Sequence, residues 1–227
     1  SARVGPGKVY ERRHLEESVE QRRLRKKISA EFETDTQETK FAIVKLGWLH
    51  RVAGGFEPDT LRVLSDSKIK ETCRIVLEEL PDERVVIWCR YLAEISSVVR
   101  ALNSKSGRTV ARRITGQTSV DERAERIRQF QAGELRVLVC QVKCARFGID
   151  LSAGDTAIYY SNAFDCEDRV QSEDRIISPL KTDPCLYIDL VTEGTIDEDI
   201  SDLLRDKKAT SRSMLIRLLM GRLGWQR

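Results

Sequence analysis

Val85-Val86-Ile87-Trp88-Cys89 is an unbroken apolar run of strand length, preceded by a turn at Pro81-Asp82-Glu83 and followed by Leu92, Ile95, Val98 and Leu102 at helical spacing. A strand that is apolar at every position suits a sheet covered on both faces, as parallel sheets are. The unit recurs in both directions. Upstream, Ile69, Cys73, Val76 and Leu80 mark a helix; downstream, a weaker strand over 109–114 precedes a helix opened by Ser119 to Glu122, with Ala124, Ile127 and Phe130 inward. Strands at 136–140, 156–160 and 185–191 follow, with a helix between the last two. This alternation predicts an α/β fold, a parallel sheet with helices on both faces.

The flanks read as helical. From Ser18 to Phe32, Leu24, Ile28 and Phe32 recur every four residues, and Ser18 with Gln21 has capping-box spacing. A second helix runs from about Glu38 to Arg51 with Phe41, Val44 and Trp48 on one face, and Gly54-Gly55 with Pro58 stops it. Beyond the last strand, Thr195 to Glu198 opens a helix with Ile196, Ile200, Leu203 and Leu204 inward. A basic stretch then carries Met214, Leu215, Leu218 and Leu219, which suit a core, a docking face for a partner domain or a membrane-surface helix; docking is favoured. The expected division is a helical connector at 1–60, an α/β domain at 61–205 and a C-terminal docking helix at 206–227.

With 41% hydrophobic residues in 227, the chain can bury a core. Its longest apolar runs, such as Val137 to Cys140, fall far short of the roughly 18 residues that cross a bilayer, so no membrane partner is expected. The start shows neither signal core nor initiator Met and reads as the edge of an excised fragment; the expected location is cytoplasmic. Six cysteines without a C-x-x-C pair read as free and buried, and Cys140 with Cys144 lacks the His of a zinc site, so no metal is expected. Lys and Arg total 39 against 36 Asp and Glu, which excludes a histone-like chain. The basic stretch at 21–27 reads equally as a solvated helix face or a phosphate contact.

In parallel α/β sheets ligands sit beyond the carboxyl ends of the strands. The loops there hold Arg90; Gly116-Gln117-Thr118-Ser119; Gln141 through Leu151; and Phe164 through Arg175. Thr118 and Ser119, at a helix N-terminus, offer hydroxyls and unpaired N–H groups to a phosphate, although a plain N-cap uses the same residues. Gly148 permits close backbone approach. There is no G-x-x-x-x-G-K-[ST] loop, and no glycine-rich turn after a first strand of the kind a dinucleotide-binding enzyme needs.

In this order the segments resemble the second RecA-like domain of superfamily-2 helicases, in the branch of chromatin-remodelling DNA translocases and their phage relatives. Val85 to Cys89 looks like motif IV; Phe147-Gly148-Ile149-Asp150-Leu151 with Ala153, Asp155 and Thr156 looks like motif V; Gln171-Ser172-Glu173-Asp174-Arg175 looks like the opening of motif VI. Glu193 to Glu198 resembles the segment that closes the domain, and residues 8–56 the connector leaving the first lobe.

The resemblance implies a C-terminal motor lobe that binds a DNA backbone through Arg90, Gly116, Thr118, Ser119 and Gln141. It also implies that this lobe completes an ATP site whose phosphates and Mg²⁺ are held mainly by a missing N-terminal RecA-like lobe. Gly148 and Asp150 would face the nucleotide, Asp150 as acceptor for a ribose hydroxyl, or else as an ordinary turn residue. Gln171 and Arg175 would be catalytic, Arg175 neutralising charge on the transferred γ-phosphoryl group; its alternative is an ion pair with Glu173 or Asp174.

The chain also departs from the pattern. Ser178 stands where a second Arg is expected, Gln141-Val142 replaces a Ser-Thr pair, and Ala145-Arg146 replaces two glycines. Arg146, Lys143 and Lys181 are candidates for the missing charge. The alternative function is therefore a motor-derived binding or regulatory module that has lost hydrolysis. A phage or bacterial source is expected.

Overall fold

The computed structural model describes residues 7–31, 39–205 and 211–223. Phe32, Glu38 and the Phe41 side chain, used above to draw two helices, lie outside the described residues. In chain order the elements are β1 (Lys8–Leu15), α1 (Val19–Glu31), α2 (Thr39–Ala53), α3 (Ser67–Arg74), β2 (Val85–Cys89), α4 (Leu92–Ser106), β3 (Ala111–Ile114), α5 (Val120–Gln131), β4 (Val137–Gln141), β5 (Thr156–Tyr159), α6 (Cys166–Asp174), β6 (Cys185–Thr192), α7 (Ile196–Arg205) and α8 (Arg212–Arg222). A π-helical turn, Ile75–Glu79, extends α3, and a 3₁₀ turn, Val142–Phe147, follows β4.

The strands form one sheet in the order β1-β6-β5-β2-β4-β3. Pairings from β6 to β3 are parallel, with Val85 beside Val137 and Thr156, Ala111 beside Val137, and Thr156 beside Leu186. β1 is parallel too: the Cys185 N–H donates to the Gly7 carbonyl and the Glu193 N–H to that of Leu15, a constant offset along both strands. This edge strand precedes the two helices, α1 and α2, of the expected helical connector and was not foreseen from sequence. Its residues, Lys-Val-Tyr-Glu-Arg-Arg-His-Leu, lack a continuous apolar face, and β6 supplies the hydrogen bonds that make it a strand. The charges along it suit an edge that must not recruit another strand.

The described residues pack as two compact units. The first holds 7–13, 69–163 and 168–190. All five residues of β2 are buried, as the apolar run requires. One core cluster joins Val86 and Trp88 of β2, Leu138 and Cys140 of β4, Tyr159, Tyr187, Ile176 and Phe130 of α5, while α4 packs on β2, β3 and β4. Each buried aliphatic side chain contributes about 1.5–3 kcal/mol of transfer energy.

The second unit holds 14–31, 39–68, 164–167, 191–205 and 211–223. Its core gathers Ile28, Leu46, Leu49, Phe164, Ile200, Leu203, Leu215 and Leu219. The predicted capping box forms: Gln21 N–H donates to Ser18 Oγ at 3.2 Å, and the Ser18 N–H to Gln21 Oε1 at 3.0 Å. The same Gln21 amide donates to the carbonyls of Val52 and Ala53 at 2.7 and 3.2 Å, satisfying the end of α2. Leu215 and Leu219 of the last helix are fully buried here, while Met214 on the same helix is 40% exposed. Lys68, Asp197 and His50 form a buried charged cluster, with Lys68 Nζ 2.6 Å from Asp197 Oδ2 and His50 Nε2 3.4 Å from Oδ1.

Among the described residues no helix is long and apolar enough to cross a membrane, and no group of three His, Cys, Asp or Glu is arranged to hold a metal ion. The cysteines are free and buried except Cys166, which is partly exposed. Burial pushes the Cys144 thiol up to about 11 and Cys140 upward as well, so neither behaves as a thiolate.

Candidate functional site

The candidate residues fall into two groups on the first unit. Adjacent strands β3, β4 and β2 end side by side, and their loops carry Gly116, Gln141 and Arg90. The Gly116 N–H donates to Gln141 Oε1 at 3.3 Å, and Cys89 pairs with Gln141 in the sheet, which puts Arg90 one step beyond it. The Arg90 N–H donates to Ser161 Oγ at 2.8 Å, and Ser161 in turn donates to Glu94 Oε2 at 2.5 Å. Glu94 also accepts from the Tyr91 N–H at 3.0 Å, so this buried carboxylate fixes both the start of α4 and the Arg90 backbone. The Arg90 guanidinium lies 5.4 Å from the Tyr91 ring centroid.

Within the Gly116 loop the two hydroxyls have different fates. Ser119 is exposed and caps α5, its Oγ accepting from the Glu122 N–H at 3.3 Å. Thr118 is 6% exposed, and its Oγ1 accepts from the Thr115 N–H at 3.0 Å, closing the turn. Thr118 thus uses its hydroxyl within the turn, while Gly116, Gln117 and Ser119 are exposed.

Beside this loop lie two residues that pattern reading left out of the site. Arg123 donates to the Thr118 carbonyl at 3.2 Å, and its guanidinium sits 4.3 Å from the centroid of Phe147, a ring 53% exposed. An exposed aromatic held by an Arg is an available stacking surface. The signal in the sequence was weak, since Phe147 differs from a core aromatic only in the turn that presents it.

The second group forms where the segment after β4 meets the end of α6. Gly148 adopts φ +66°, ending the 3₁₀ turn, and an added Cβ would find nothing within 4 Å. The left-handed backbone by itself favours glycine here, and no protein atom crowds that side. Asp150 is exposed; its Oδ1 accepts from the Ser152 N–H at 2.9 Å, and that hydrogen bond holds its carboxyl below the usual carboxylate range. Gln131 donates to the Asp150 carbonyl at 2.8 Å. One residue on, the Leu151 N–H donates to the Arg175 carbonyl at 3.0 Å, which ties motif-V-like and motif-VI-like segments together.

Arg175 follows the last residue of α6, and Gln171 lies half-buried on that helix. The alternative written for Arg175, an ion pair with Glu173 or Asp174, does not form among the described residues: Lys8 takes both carboxylates, at 3.0 and 3.1 Å. The Arg175 Nε is buried with no hydrogen-bond partner among the described residues. The candidate replacement charges are committed elsewhere. Lys181 Nζ donates to the carbonyls of Gly154 and Ile176 at 2.6 and 3.0 Å and lies 2.8 Å from Asp155; Arg146 Nε is 2.5 Å from Asp168. Lys143 is exposed.

Residues 67–178 match the model of the helicase conserved C-terminal domain. That segment is similar to the C-terminal domain of helicases. The chain is 27% identical over 152 residues, 66% of its length, to ATP-dependent helicase fft1 of Schizosaccharomyces pombe, and spans only 16% of that relative. Its fold is that of the C-terminal part of the Fun30 ATPase domain, with TM-score 0.72, 15% identity and 99% and 100% of the two chains covered. The Sulfolobus solfataricus SWI2/SNF2 ATPase core in complex with dsDNA matches at TM-score 0.77 and 19% identity, over 97% of this chain and 48% of that one. At these identities the structural likeness establishes a shared RecA-like α/β fold. The matched segment begins at α3 and ends four residues past α6, and so includes both groups of candidate residues.

Proposed function

We propose that this chain is the C-terminal motor lobe of an ATP-dependent DNA translocase of the remodeller type, acting with a P-loop lobe elsewhere in the same protein. Support comes from the helicase domain, from a relative named as an ATP-dependent helicase and from a structural neighbour solved with dsDNA. The observation that carries the reading is Arg175: a guanidinium at the junction of the Gly148–Leu151 segment and α6, with a buried Nε that no protein group satisfies.

A buried polar group without a partner calls for one, and at the place where the resembling segments meet, a nucleotide phosphate would supply it. ATP, when bound with Mg²⁺, supplies the phosphoryl bond whose cleavage drives movement. The chain itself has no G-x-x-x-x-G-K-[ST] loop, so its part is to present the Arg175 charge and the Asp150 carboxylate to a nucleotide held elsewhere. Arg90, the Gly116 to Ser119 loop and Gln141 would follow a phosphate backbone, donating N–H groups and charge without reading bases. A phage or bacterial source finds no support among these likenesses and forms no part of the proposal.

DNA-stimulated ATPase of the full-length protein tests the reading. Arg175→Ala should lower kcat by about a thousandfold, the low end for arginine fingers, with DNA affinity kept within a few-fold. The 227-residue chain alone should hydrolyse nothing above background. A near-normal kcat for Arg175→Ala, or turnover by the isolated chain, would refute it. One observation favours a second reading, a module that has lost hydrolysis: Ser178 replaces a cation, and Lys181 and Arg146 are already engaged. Intact protein that binds DNA yet shows no ATPase would select that reading.

A further inference from the structure

We infer that Lys8 and Tyr10 of the edge strand β1 are positioning residues for Arg175, because they occupy the carboxylates beside it and leave its guanidinium available to phosphate. The inference rests on the nucleotide reading of Arg175 and adds to it the residues that keep that charge unspent.

An Arg placed directly after Glu173 and Asp174 has two anions in reach, and the simplest outcome in sequence is neutralisation. The geometry prevents it. Glu173 is filled on both oxygens: Oε1 accepts from Arg169 Nε at 2.7 Å, while Oε2 accepts from Lys8 Nζ at 3.0 Å and from the Tyr10 hydroxyl at 2.8 Å. Asp174 Oδ1 accepts from Lys8 Nζ at 3.1 Å. Lys8 is therefore one cation serving two carboxylates, and the local charge that would hold Arg175 is largely cancelled before Arg175 is considered.

The arrangement is built, not incidental. The Tyr10 ring stacks on Tyr187 with centroids 5.3 Å apart, and the Tyr187 hydroxyl donates to the Glu173 carbonyl at 3.0 Å. Arg169, on the same helix, is locked by Asp189 at 2.5 and 3.1 Å and by Asn162 at 2.7 Å, so it cannot swing away to free Glu173. The last turn of α6 is thus clamped on one side by β1 and β6, and Arg175 is directed by its carbonyl bond to Leu151 on the other. Burial and the neighbouring Glu173 carboxylate raise the Tyr10 phenol, which stays a donor throughout the physiological range.

The test has one arm on the 227-residue chain and one on the full-length protein. In NMR of the chain, the Arg175 Nε–H should show fast guanidinium rotation. Lys8→Ala should slow that rotation and shift the resonance as Asp174 captures the guanidinium; Lys8→Arg should not. Adding Asp174→Asn to Lys8→Ala should return the signal to its original state, and Tyr10→Phe, which removes one hydroxyl only, should give a smaller shift of the same sign. In the full-length ATPase, Lys8→Ala should lower kcat by about ten- to a hundredfold with KM for ATP less affected, and Asp174→Asn should restore most of it. A purely structural clamp predicts something different: lost thermal stability and shifted β1 amides, an unchanged Arg175 resonance, and no repair by Asp174→Asn. That result would overturn the inference. An inactive full-length protein would instead count against the nucleotide reading, while the NMR arm still decides whether Lys8 controls Arg175.

Discussion

A single guanidinium separates the two functional readings of this chain, and what matters about it is what it does not touch. Arg175 has carboxylates as sequence neighbours yet pairs with neither among the described residues, because Lys8, Tyr10 and Arg169 reach them first. Ser178, three residues on, contributes no charge, and Lys181 spends its ammonium on two carbonyls and Asp155. Ser178→Arg in the full-length protein is therefore expected to raise ATPase turnover, because it adds a donor fork where the helicase pattern carries one. Steady-state kcat at saturating DNA measures it, and an unchanged kcat would mean that Arg175 acts alone. Gly148 is a different kind of residue, fixed by its backbone. At φ +66° with open space around the missing Cβ, Gly148→Ala should cost about 1–2 kcal/mol in denaturant unfolding from strain alone. A loss well above that would reveal a contact that the surroundings do not contain.

Elements explain why the loops stand where they do. β2 is the hub of the sheet, pairing with β4 and β5 and buried along its whole length, so the residue that leaves it, Arg90, is delivered to a fixed place. Gly154, just before β5, is where the chain passes against that hub: an added Cβ would meet Phe130 at 3.0 Å and the Arg84 carbonyl and Val86 at 3.3 Å. Gly154→Ala should cost about 1–3 kcal/mol by overpacking, read as a lower chemical-denaturation midpoint with unchanged slope. In the second unit, α2, α3 and α7 each send an ionisable side chain into one buried cluster, His50, Lys68 and Asp197. Asp197→Asn leaves the Lys68 ammonium buried without its counter-ion and should cost about 3–5 kcal/mol. The double variant Lys68→Met/Asp197→Leu should recover most of that loss; failure to recover would show that the cluster supplies more than charge balance.

For the molecule as a whole the expected behaviour with nucleic acid is electrostatic. As proposed, a surface built from Arg90, the Gly116 loop and Gln141 would meet phosphates and not base edges, so affinity should fall steeply with salt and vary little with sequence. Binding to labelled DNA at 50 and 200 mM salt checks this, and a flat salt response or strong base preference would be incompatible with a backbone groove. Much of the architecture was legible in the residue order, because continuous apolar runs such as 85–89 leave few alternatives to a doubly covered parallel strand, and the helical spacings between them fix the crossovers. The ordered segments likewise carried a resemblance to the second lobe of helicases, and residues 67–178 are similar to the helicase conserved C-terminal domain. Other features had no local signature. β1 is a strand only because β6 offers its edge, and its own residues would read equally well as a solvated connector. That Leu215 and Leu219 of the last helix sit in the second unit's core was not legible either, since periodicity reports that a face is apolar and not what covers it. Thr118 and Ser119 are adjacent hydroxyls indistinguishable in sequence, yet the turn buries one and exposes the other. The sequence by itself determined the fold class and the chemistry on offer, because both follow from short-range periodicity and residue type. Which charges are free to act was decided only by the tertiary structure, because Lys8 and Glu173 stand 165 positions apart and meet through the sheet alone.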